Sequence, residues 1–561
     1  MAEVTLVPRV YNNFRGADFR GEEINLTRSP DCLNVWKDYK ETDSIRTRPA
    51  MKQIESFDDT VYGIFFYTVG NTEIMFVHSG TKLYKVVDGK RTEIYSGLNP
   101  IVSNSFVHNN IWYFKDGKNY LQYDGATIKE VEGFIPTTSI NRTPEGSGEI
   151  HHYINMLSDY RKNTFVGDEQ KNHYYLDASD GIDEIVEILV DGKKWNGPVT
   201  LHGNEGMVEF TNNCPPNPQT DGQANVEITY KKTVDGYRET IEKCTLLQVF
   251  DNRVFFSGNP DYPNTIFNCH LDDPTYCADD DRYNDGLDTT EIRGMAVRNN
   301  ALWVFKVPTQ ANTTVFYHIP THDSNEGKVY PSSHSSITTG CVGKAINFNG
   351  DLVFFSNRGM EGIIGDTSTE QSLAHRSTLV DSKLVSESKY KDMTLAEWQG
   401  YLVVFMGNKA YLADSRAMFT NEDHVEYDWF YWEMEKDIVC SRVNNGDLFL
   451  GTKDGVYTLT GDTPIESYWV TPKDKFKYPN KLKTTNKRGC VVEAEGDISV
   501  YAKTESTGYE LIGEYKGITD SFVSRIKRKK FKDLQLKFYS PTRFSLETAS
   551  IECFIGGYIK R

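Results

Sequence analysis

The chain has 561 residues, 62 Lys and Arg against 79 Asp and Glu, and a formal net charge of −17. Its length predicts one large domain with one or two smaller ones, and its many Tyr, Phe and β-branched residues favour strands over helices. We find no apolar run close to the ~18 residues of a membrane span and no signal peptide, so we expect a soluble protein made in a cytoplasm.

The nine cysteines do not suggest a metal site or a disulfide framework. They are scattered, odd in number and contain no Cys-x-x-Cys pair, whereas zinc sites and disulfide frameworks have regular spacings. Cys269 and Cys277 are the closest pair and could bridge a loop. Buried free thiols are the expected state.

The first part of the chain predicts an arm followed by regular strand units. Residues 1–60 have little periodicity, but the alternation at Ser44–Met51 predicts a strand. Such a strand could complete the last blade of a β-propeller and close its ring. Residues 61–148 contain two groups of four short strands separated by Gly-Asn, Ser-Gly and Asp-Gly turn signals. Four strands per unit is typical of a propeller blade.

Residues 149–244 interrupt the series of four-strand units. Short strands surround an Asp-Gly hairpin at 191–192 and a Pro-rich turn at 215–218. We predict a small inserted β domain, from which the chain returns to the propeller.

The clearest repeat lies in residues 245–365. Three hairpins, Leu246–Gly258, Ile292–Phe305 and Ala345–Ser356, turn at Asp-Asn, Asn-Asn and Asn-Gly, residues that tolerate the positive φ of tight hairpins. The hairpins recur after about 40–50 residues, as propeller blades do. Two more units begin at Trp398 and Ile438, which predicts about seven blades in residues 61–148 and 245–462.

Residues 463–561 predict a separate β-sandwich-like module. This part carries 19 Lys and Arg against 12 Asp and Glu, a net of +7, so residues 1–462 carry −24. Charge asymmetry of this kind indicates different partners rather than a different fold. The predicted fold class is therefore mainly β, a propeller with an inserted β domain and a C-terminal β module.

Motifs of catalysis and metal binding are weak. We find no phosphate loop, no His-Glu-x-x-His and no Gly-x-Ser-x-Gly, and we expect no enzyme and no cofactor. Asp279–Asp288 resembles a calcium loop only loosely, because its twelfth position, counted from Asp281, is Ile292. His151 and His152 favour a loop over a metal site.

Two charged clusters remain as candidates. Acids crowd around the aromatic run Trp429–Trp432 and could serve glycosidic chemistry, although we favour a blade core or a subunit interface. A basic run near the C-terminus could contact phosphates or an acidic protein surface, or be a solvated strand. The acids are Glu422, Asp423, Glu426, Asp428, Glu433 and Glu435, and the basic residues are Arg525, Lys527, Arg528, Lys529, Lys530 and Lys532.

The chain resembles the β-propeller tail proteins of bacteriophages called stabilization proteins, which include the hub or nozzle proteins of short-tailed phages. The resemblance rests on Ser44–Ala50, similar to the family's Arg-x-Arg-Pro-Gly segment, and on Gly80–Lys85, Val249–Asn264 and Val304–Lys306. It covers nearly the whole chain. Ala50 in place of Gly and the inserted domain are departures, and the second leaves the tail type open.

The resemblance implies a virion protein, assembled in the host bacterial cytoplasm, without catalytic residues. It implies a ring, often of about six copies, around the DNA channel below the portal and adaptor proteins. An acidic wall repels phosphates, so DNA would pass without specific binding. The candidate channel-facing acids are Asp272, Asp273, Asp279, Asp280 and Asp281.

The basic run would then be a strand that docks neighbouring tail or head proteins. Two alternatives stay open. One is a carbohydrate-binding or depolymerising propeller acting on host surface glycans, and the other is a monomeric scaffolding propeller.

Overall fold

The computed structural model describes residues 5–40, 44–310, 313–323, 327–421, 424–526 and 530–558. In these residues the regular structure is nearly all β-strand, which confirms the mainly β fold class. The exceptions are the helices Tyr237–Glu242 and Asp381–Leu384 and the 3-10 turn Tyr390–Asp392. None of the helices described is long and apolar enough to cross a membrane.

The chain divides into two compact units. Unit 1 contains residues 1–66, 73–93 and 336–561, and unit 2 contains residues 67–72 and 94–335. Antiparallel meanders, numbered I to VII in chain order, recur in both units. They have the strand arrangement of propeller blades, so the fold is propeller-like.

Unit 2 contains meanders II, III and IV. Each is a four-stranded antiparallel sheet, and a separate two-stranded hairpin, Thr321–Asp323 with Gly327–Val329, interrupts meander IV. The strands are Asn104–His108, Ile111–Lys115, Tyr120–Tyr123 and Ile128–Glu130 in meander II; Leu246–Phe250, Arg253–Ser257, Thr265–Asn268 and Arg282–Asn284 in III; and Ile292–Arg298, Ala301–Lys306, Val315–His318 and Ser332–His334 in IV.

Meanders V, VI and VII belong to unit 1, as do residues 61–66 and 73–93 of meander I. Meander VI has three strands and the others have four. The strands are Val61–Val69, Thr72–Ser79, Lys82–Val87 and Lys90–Ser96 in meander I; Ala345–Phe348, Asp351–Ser356, Gly359–Ile364 and Ser372–His375 in V; Thr394–Trp398, Tyr401–Asn421 and His424–Ile438 in VI; and Cys440–Asn444, Asp447–Gly451, Gly455–Gly461 and Ala50–Ser56 in VII.

The three hairpins predicted from the repeat are all present. Their turn residues have positive φ: 52° and 54° at Asp251 and Asn252, 50° and 55° at Asn299 and Asn300, and 50° and 87° at Asn349 and Gly350. Consecutive positive φ angles match the right-handed twist of the flanking strands. The local turn chemistry therefore specifies these hairpins.

Pairs of meanders within a unit share apolar cores. In unit 2, Phe255 and Ile266 of meander III pack with Leu302 and Val304 of meander IV. In unit 1, Val77 of meander I packs with Val456 of meander VII. Because both faces of the inner strands are covered, these strands are runs such as Arg253–Ser257, in which every residue is buried.

The early strand predicted at Ser44–Met51 is found as two strands, Ile45–Thr47 and Ala50–Ser56. The second of them pairs antiparallel with Gly455–Gly461 and becomes the fourth strand of meander VII. An N-terminal strand thus completes the last meander, as predicted.

Meander VI differs from its predicted form. Two strands, Trp398–Met406 and Lys409–Ala413, were expected, but one strand runs through Tyr401–Asn421 and pairs with His424–Ile438. Gly407, with φ of 63°, sits where the register with the partner strand shifts. A single glycine in a strand makes a bulge rather than a chain reversal, so the strand continues.

The inserted domain begins earlier than residue 149. Its larger sheet starts with Thr137–Arg142, and the domain has its own core around Phe165, Tyr174 and Phe210. The sheets are, in order, Glu149–Ile150, Thr137–Arg142, Tyr160–Phe165, Val226–Lys231, Glu184–Val190 and Lys193–Lys194, and separately His173–Tyr175, Met207–Phe210 and Val199–His202.

The C-terminal module is not separate from the N-terminal arm. Both belong to one ten-stranded sheet of unit 1, in which Leu6–Tyr11 pairs antiparallel with Phe544–Tyr558. The sheet order is Cys32–Leu33, Ser467–Val470, Leu534–Ser540, Lys481–Thr504, Phe544–Tyr558, Ile45–Thr47 and Val35–Lys37, with Glu510–Ile518 and Ser521–Ser524 on the strand Lys481–Thr504.

Candidate functional site

The acidic candidates lie in the loop of meander III that connects Thr265–Asn268 to Arg282–Asn284. Asp272 and Asp280 are exposed, and Asp273, Asp279 and Asp281 are partly buried. The loop therefore exposes two of the five carboxylates to solvent.

Two of the partly buried acids have structural partners. Asp273 Oδ1 accepts hydrogen bonds from Thr275 N at 2.9 Å and Thr275 Oγ1 at 2.6 Å. Asp279 Oδ2 accepts one from the Tyr237 hydroxyl at 3.2 Å. Burial raises the pKa of Asp279, because it disfavours the ionised carboxylate more than the Tyr237 hydrogen bond favours it.

The acidic loop borders a cavity of about 440 Å³ in unit 2. Its walls come from the start of the helix Tyr237–Glu242, from the acidic loop, and from residues near 153 and 262. The cavity combines carboxylates with aromatic rings, and it is lined by Tyr153, Met156, Asp235, Gly236, Tyr237, Thr240, Tyr262, Phe267, Asp279, Asp280 and Arg282.

The basic run differs from its predicted form as a docking strand. Lys527, Arg528 and Lys529 lie outside the described residues, and Arg525, Lys530 and Lys532 are exposed and outside any strand. They occupy the connection between Ser521–Ser524 and Leu534–Ser540, where buried Phe531 forms one bridge to Lys483. Ile526 and Phe531 are an odd number of positions apart, so a regular strand could not turn both to its apolar face.

The acids of the hairpin in meander VI serve mainly as internal partners. Glu422 and Asp423 lie outside the described residues, and Glu426 is buried. Asp428 pairs with Arg15 at 3.0 Å and Arg28 at 2.5 Å. Glu433 Oε1 accepts a hydrogen bond from the Tyr431 hydroxyl at 2.9 Å.

The aromatic run among these acids is core. Trp429 and Trp432 are fully buried, and Trp432 Nε1 donates to Val35 O at 3.1 Å. The arm lies directly on this run, because Ala17 N donates to Trp429 O at 2.6 Å. At Gly16, with φ of +87°, a Cβ would stand 2.1 Å from that same oxygen, so only glycine fits.

Arg48, from the segment that resembles the tail-protein family, is the centre of this packing. Its side chain is 1% exposed and pairs with Glu435 at 3.0 Å. It also donates to Asn34 Oδ1 at 3.0 Å, to its neighbour Pro49 O at 2.9 Å and to Glu433 O at 2.6 Å. One guanidinium thus joins the arm to meander VI.

The loose calcium-loop resemblance has another explanation. Asp285 is fully buried and lies 3.2 Å from His318 Nε2, and Asp288 forms an ion pair with Lys306. The structure therefore uses two of these carboxylates in ionic contacts with His318 and Lys306, both buried residues of meander IV. Where the chain is described, no group of three or more His, Cys, Asp or Glu side chains could hold a metal ion.

His151 and His152 lie in a loop, as predicted, with ring centroids 4.2 Å apart. Burial and the neighbouring His151 and His270 lower the pKa of His152. All nine cysteines are free thiols, and Cys269 and Cys277 are both buried.

Sequence reasoning missed an ionic cluster in meander V. His375 Nε2 lies 2.5 Å from Asp381 Oδ2, and His375 Nδ1 lies 3.2 Å from Glu361 Oε2. Glu361 and His375 are directly opposite each other on paired strands. The strand pairing brings Glu361 and His375 together. Their spacing in the sequence does not indicate this contact.

Comparisons with known proteins identify no family. No family model and no curated protein matches the chain. Solved structures with partial similarity include BamB from Moraxella catarrhalis, with 12% identity, 74% of this chain and 96% of that chain covered and a TM-score of 0.34. The computationally designed Ika8 protein has 12% identity, coverages of 72% and 97% and a TM-score of 0.27.

An exo-β-1,3-galactanase from Phanerochaete chrysosporium has 8% identity, coverages of 93% and 100% and a TM-score of 0.22. All three TM-scores are below 0.5, so we transfer neither fold nor function from these proteins.

Proposed function

We propose that this protein is a structural component of a bacteriophage tail. In this proposal it is a propeller of about seven blades, and its copies form a ring around the DNA conduit below the portal and adaptor. It passes genomic DNA without specific binding and docks other tail proteins. It acts in the virion, after assembly in the host cytoplasm.

The observation that carries the proposal is the structural role of the family-like segment Ser44–Ala50. Arg48 and the strand that begins at Ala50 join the arm to meanders VI and VII. In this segment the motif holds parts of the chain together and does not form a reactive centre. This fits a structural role for the protein. The resemblance is to structural tail proteins, so motif and role agree.

A depolymerising role receives less support from the acid-rich hairpin. Glycosidic cleavage uses two carboxylates that reach the substrate. Asp428, Glu433 and Glu435 instead have partners inside the chain. These three residues stabilise the hairpin and the arm.

Charge supports the conduit and the docking surface. Residues 1–462 carry −24, and acidic walls repel the phosphate backbone. Exposed Lys530 and Lys532 offer a basic patch on the C-terminal module, where opposite charge on a partner would aid assembly.

Electron microscopy tests the proposal directly. The purified protein is imaged alone and after mixing with portal and adaptor proteins, and we expect closed rings or copies attached at the tail neck or tip. The double variant Lys530→Glu/Lys532→Glu should attach less, whereas Lys516→Glu, an exposed change on the same module, should attach normally. Protein that stays monomeric and joins no particle would contradict the proposal.

A further inference from the structure

The cavity beside the acidic loop has an unusual mixture of side chains. Tyr153 and Tyr262 are 46% and 40% exposed. Three carboxylates, Asp235, Asp279 and Asp280, and one guanidinium, Arg282, share its walls with these rings. At about 440 Å³ it falls within the size range of small-molecule sites.

The surrounding structure fixes several of these groups. The Tyr237 hydroxyl donates to Asp279 Oδ2 at 3.2 Å. Tyr262 meets Phe267 edge-on, with ring centroids 5.8 Å apart and planes at 89°. Arg282 belongs to a strand of meander III and pairs in register with Phe267. A cavity with fixed walls loses less entropy when it binds a ligand.

The charges select among ligand classes. Three carboxylates disfavour phosphate, sulfate or any other anion, since like charges in a cavity repel. A cation would have to sit beside Arg282. A neutral ligand with many hydroxyl groups is repelled neither by the carboxylates nor by Arg282. Its hydroxyls can donate hydrogen bonds to the carboxylates and accept them from the guanidinium.

The aromatic rings narrow the choice further. Exposed tyrosine rings present flat apolar faces together with a polar tip, and a sugar ring presents an apolar CH face with hydroxyls at its edge. We propose that this cavity binds a neutral pyranose unit of a glycan, which packs on Tyr262 and hydrogen-bonds to Asp280 and Arg282.

This inference goes beyond the tail proposal and is independent of it. Asp279 and Asp280 line the cavity, which leaves Asp272, Asp273 and Asp281 as the channel candidates of the loop. The two proposals can fail separately. If the protein joins a tail but binds no sugar, only the cavity proposal fails; if it binds a sugar but joins no tail, only the tail proposal fails.

Ligand-observed NMR and calorimetry on the full chain test the site. The probes are maltotriose, cellotriose, lactose and mannotriose, each up to about 10 mM, a range that captures weak sugar binding. We expect at least one of them to bind. Tyr262→Ala and Asp280→Asn should each weaken that binding about tenfold or more.

Matched controls are Tyr175→Ala, an equally exposed tyrosine outside the cavity, and Asp221→Asn, an exposed acid of the same unit. Both should bind as the unchanged protein does. Asp280→Asn is a conservative change at an exposed position. It therefore still tests the site if Tyr262→Ala does not fold. Binding of none of the sugars, binding only of putrescine or inorganic sulfate, or cavity variants that bind normally would overturn the proposal.

Discussion

His375 lies between two carboxylates, and its titration links this cluster to stability. Burial disfavours the protonated ring, but hydrogen bonds and charges from Asp381 and Glu361 outweigh burial and raise the pKa of His375 to about 9. Burial likewise opposes ionisation of Glu361, yet His375 and Arg358 lower the pKa of that carboxyl. The folded protein therefore keeps a protonated histidine at neutral pH.

We predict that this cluster stabilises unit 1 below pH ~6.5, the unfolded pKa of histidine, and that the effect is lost as pH rises through about 9. His375→Gln should lower the free energy of unfolding by about 3 kcal/mol at pH 6, because buried Glu361 loses one of its two cationic partners and keeps only Arg358. Melting temperatures from pH 6 to pH 10 check this. The difference in melting temperature between the unchanged protein and His375→Gln should shrink towards high pH. The control His334→Gln, at an exposed position, should have nearly the melting temperature of the unchanged protein at every pH. A gap independent of pH would contradict the assignment.

Arg48 shows how one side chain can join distant segments. Replacing it removes a buried charge that meets Asn34, Glu433 and Glu435. We predict that Arg48→Ala destabilises unit 1 by about 3–5 kcal/mol. Arg48→Lys should recover part of this, because an ammonium keeps the charge but not the planar fork of donors.

Hydrogen exchange of the strand Ala50–Ser56 and of meander VI reports this change locally. Lys52→Ala, at an exposed position of the same strand, serves as the control and should leave exchange unchanged. Equal exchange in Arg48→Ala and the control would show that the guanidinium is dispensable.

At the scale of elements, the arm is attached to meander VI by ion pairs as well as by strands. Asp428 is 3% exposed and faces both Arg15 and Arg28. We predict that Asp428→Asn releases residues 12–30 from meander VI, because a neutral amide weakens two charge-assisted contacts and leaves the buried guanidinium of Arg28 without this anion.

Limited trypsin digestion measures this release. Cleavage within residues 12–30 should accelerate at least tenfold, which corresponds to about 1.4 kcal/mol in the opening equilibrium. Asp437→Asn removes a solvent-exposed pair with Lys389 and should have little effect. An unchanged cleavage rate in Asp428→Asn would refute the attachment.

At the scale of the whole molecule, the proposed ring around DNA gives the charge of −24 in residues 1–462 a testable consequence. We predict that the unchanged protein binds duplex DNA negligibly, and that Asp272→Lys makes assembled rings retain it, because a ring repeats the new charge in every copy. Gel retardation at increasing salt measures retention, and each new phosphate contact should steepen the salt dependence by about one unit.

Two control variants separate the effect of the added positive charge from an effect of the substitution on the fold. Asp272 has φ of 55°, a conformation that asparagine tolerates, so Asp272→Asn keeps the turn without adding a positive charge. Asp221→Lys adds the same charge elsewhere in unit 2. Equal retention of DNA by both lysine variants would contradict the placement of Asp272 in the proposed conduit.

The sequence by itself determined the mainly β fold class, the three hairpins in residues 245–365 and the strand that completes meander VII. Alternating apolar residues and the pairs Asp251-Asn252, Asn299-Asn300 and Asn349-Gly350 are local signals. They work because side-chain alternation and backbone φ preferences are set within a few residues of the chain. The predicted loop at His151 and His152 rests on the same kind of signal.

Only the tertiary structure decided how distant segments meet. Pairing of Leu6–Tyr11 with Phe544–Tyr558 joins the two ends of the chain, and the partners of Arg48, Asp428 and His375 come from other elements. No local pattern specifies such contacts, since any strand edge or buried charge has many possible partners until burial and register select one. For the same reason, the cavity beside the acidic loop becomes visible only when residues 153, 235–240, 262 and 279–282 are brought together.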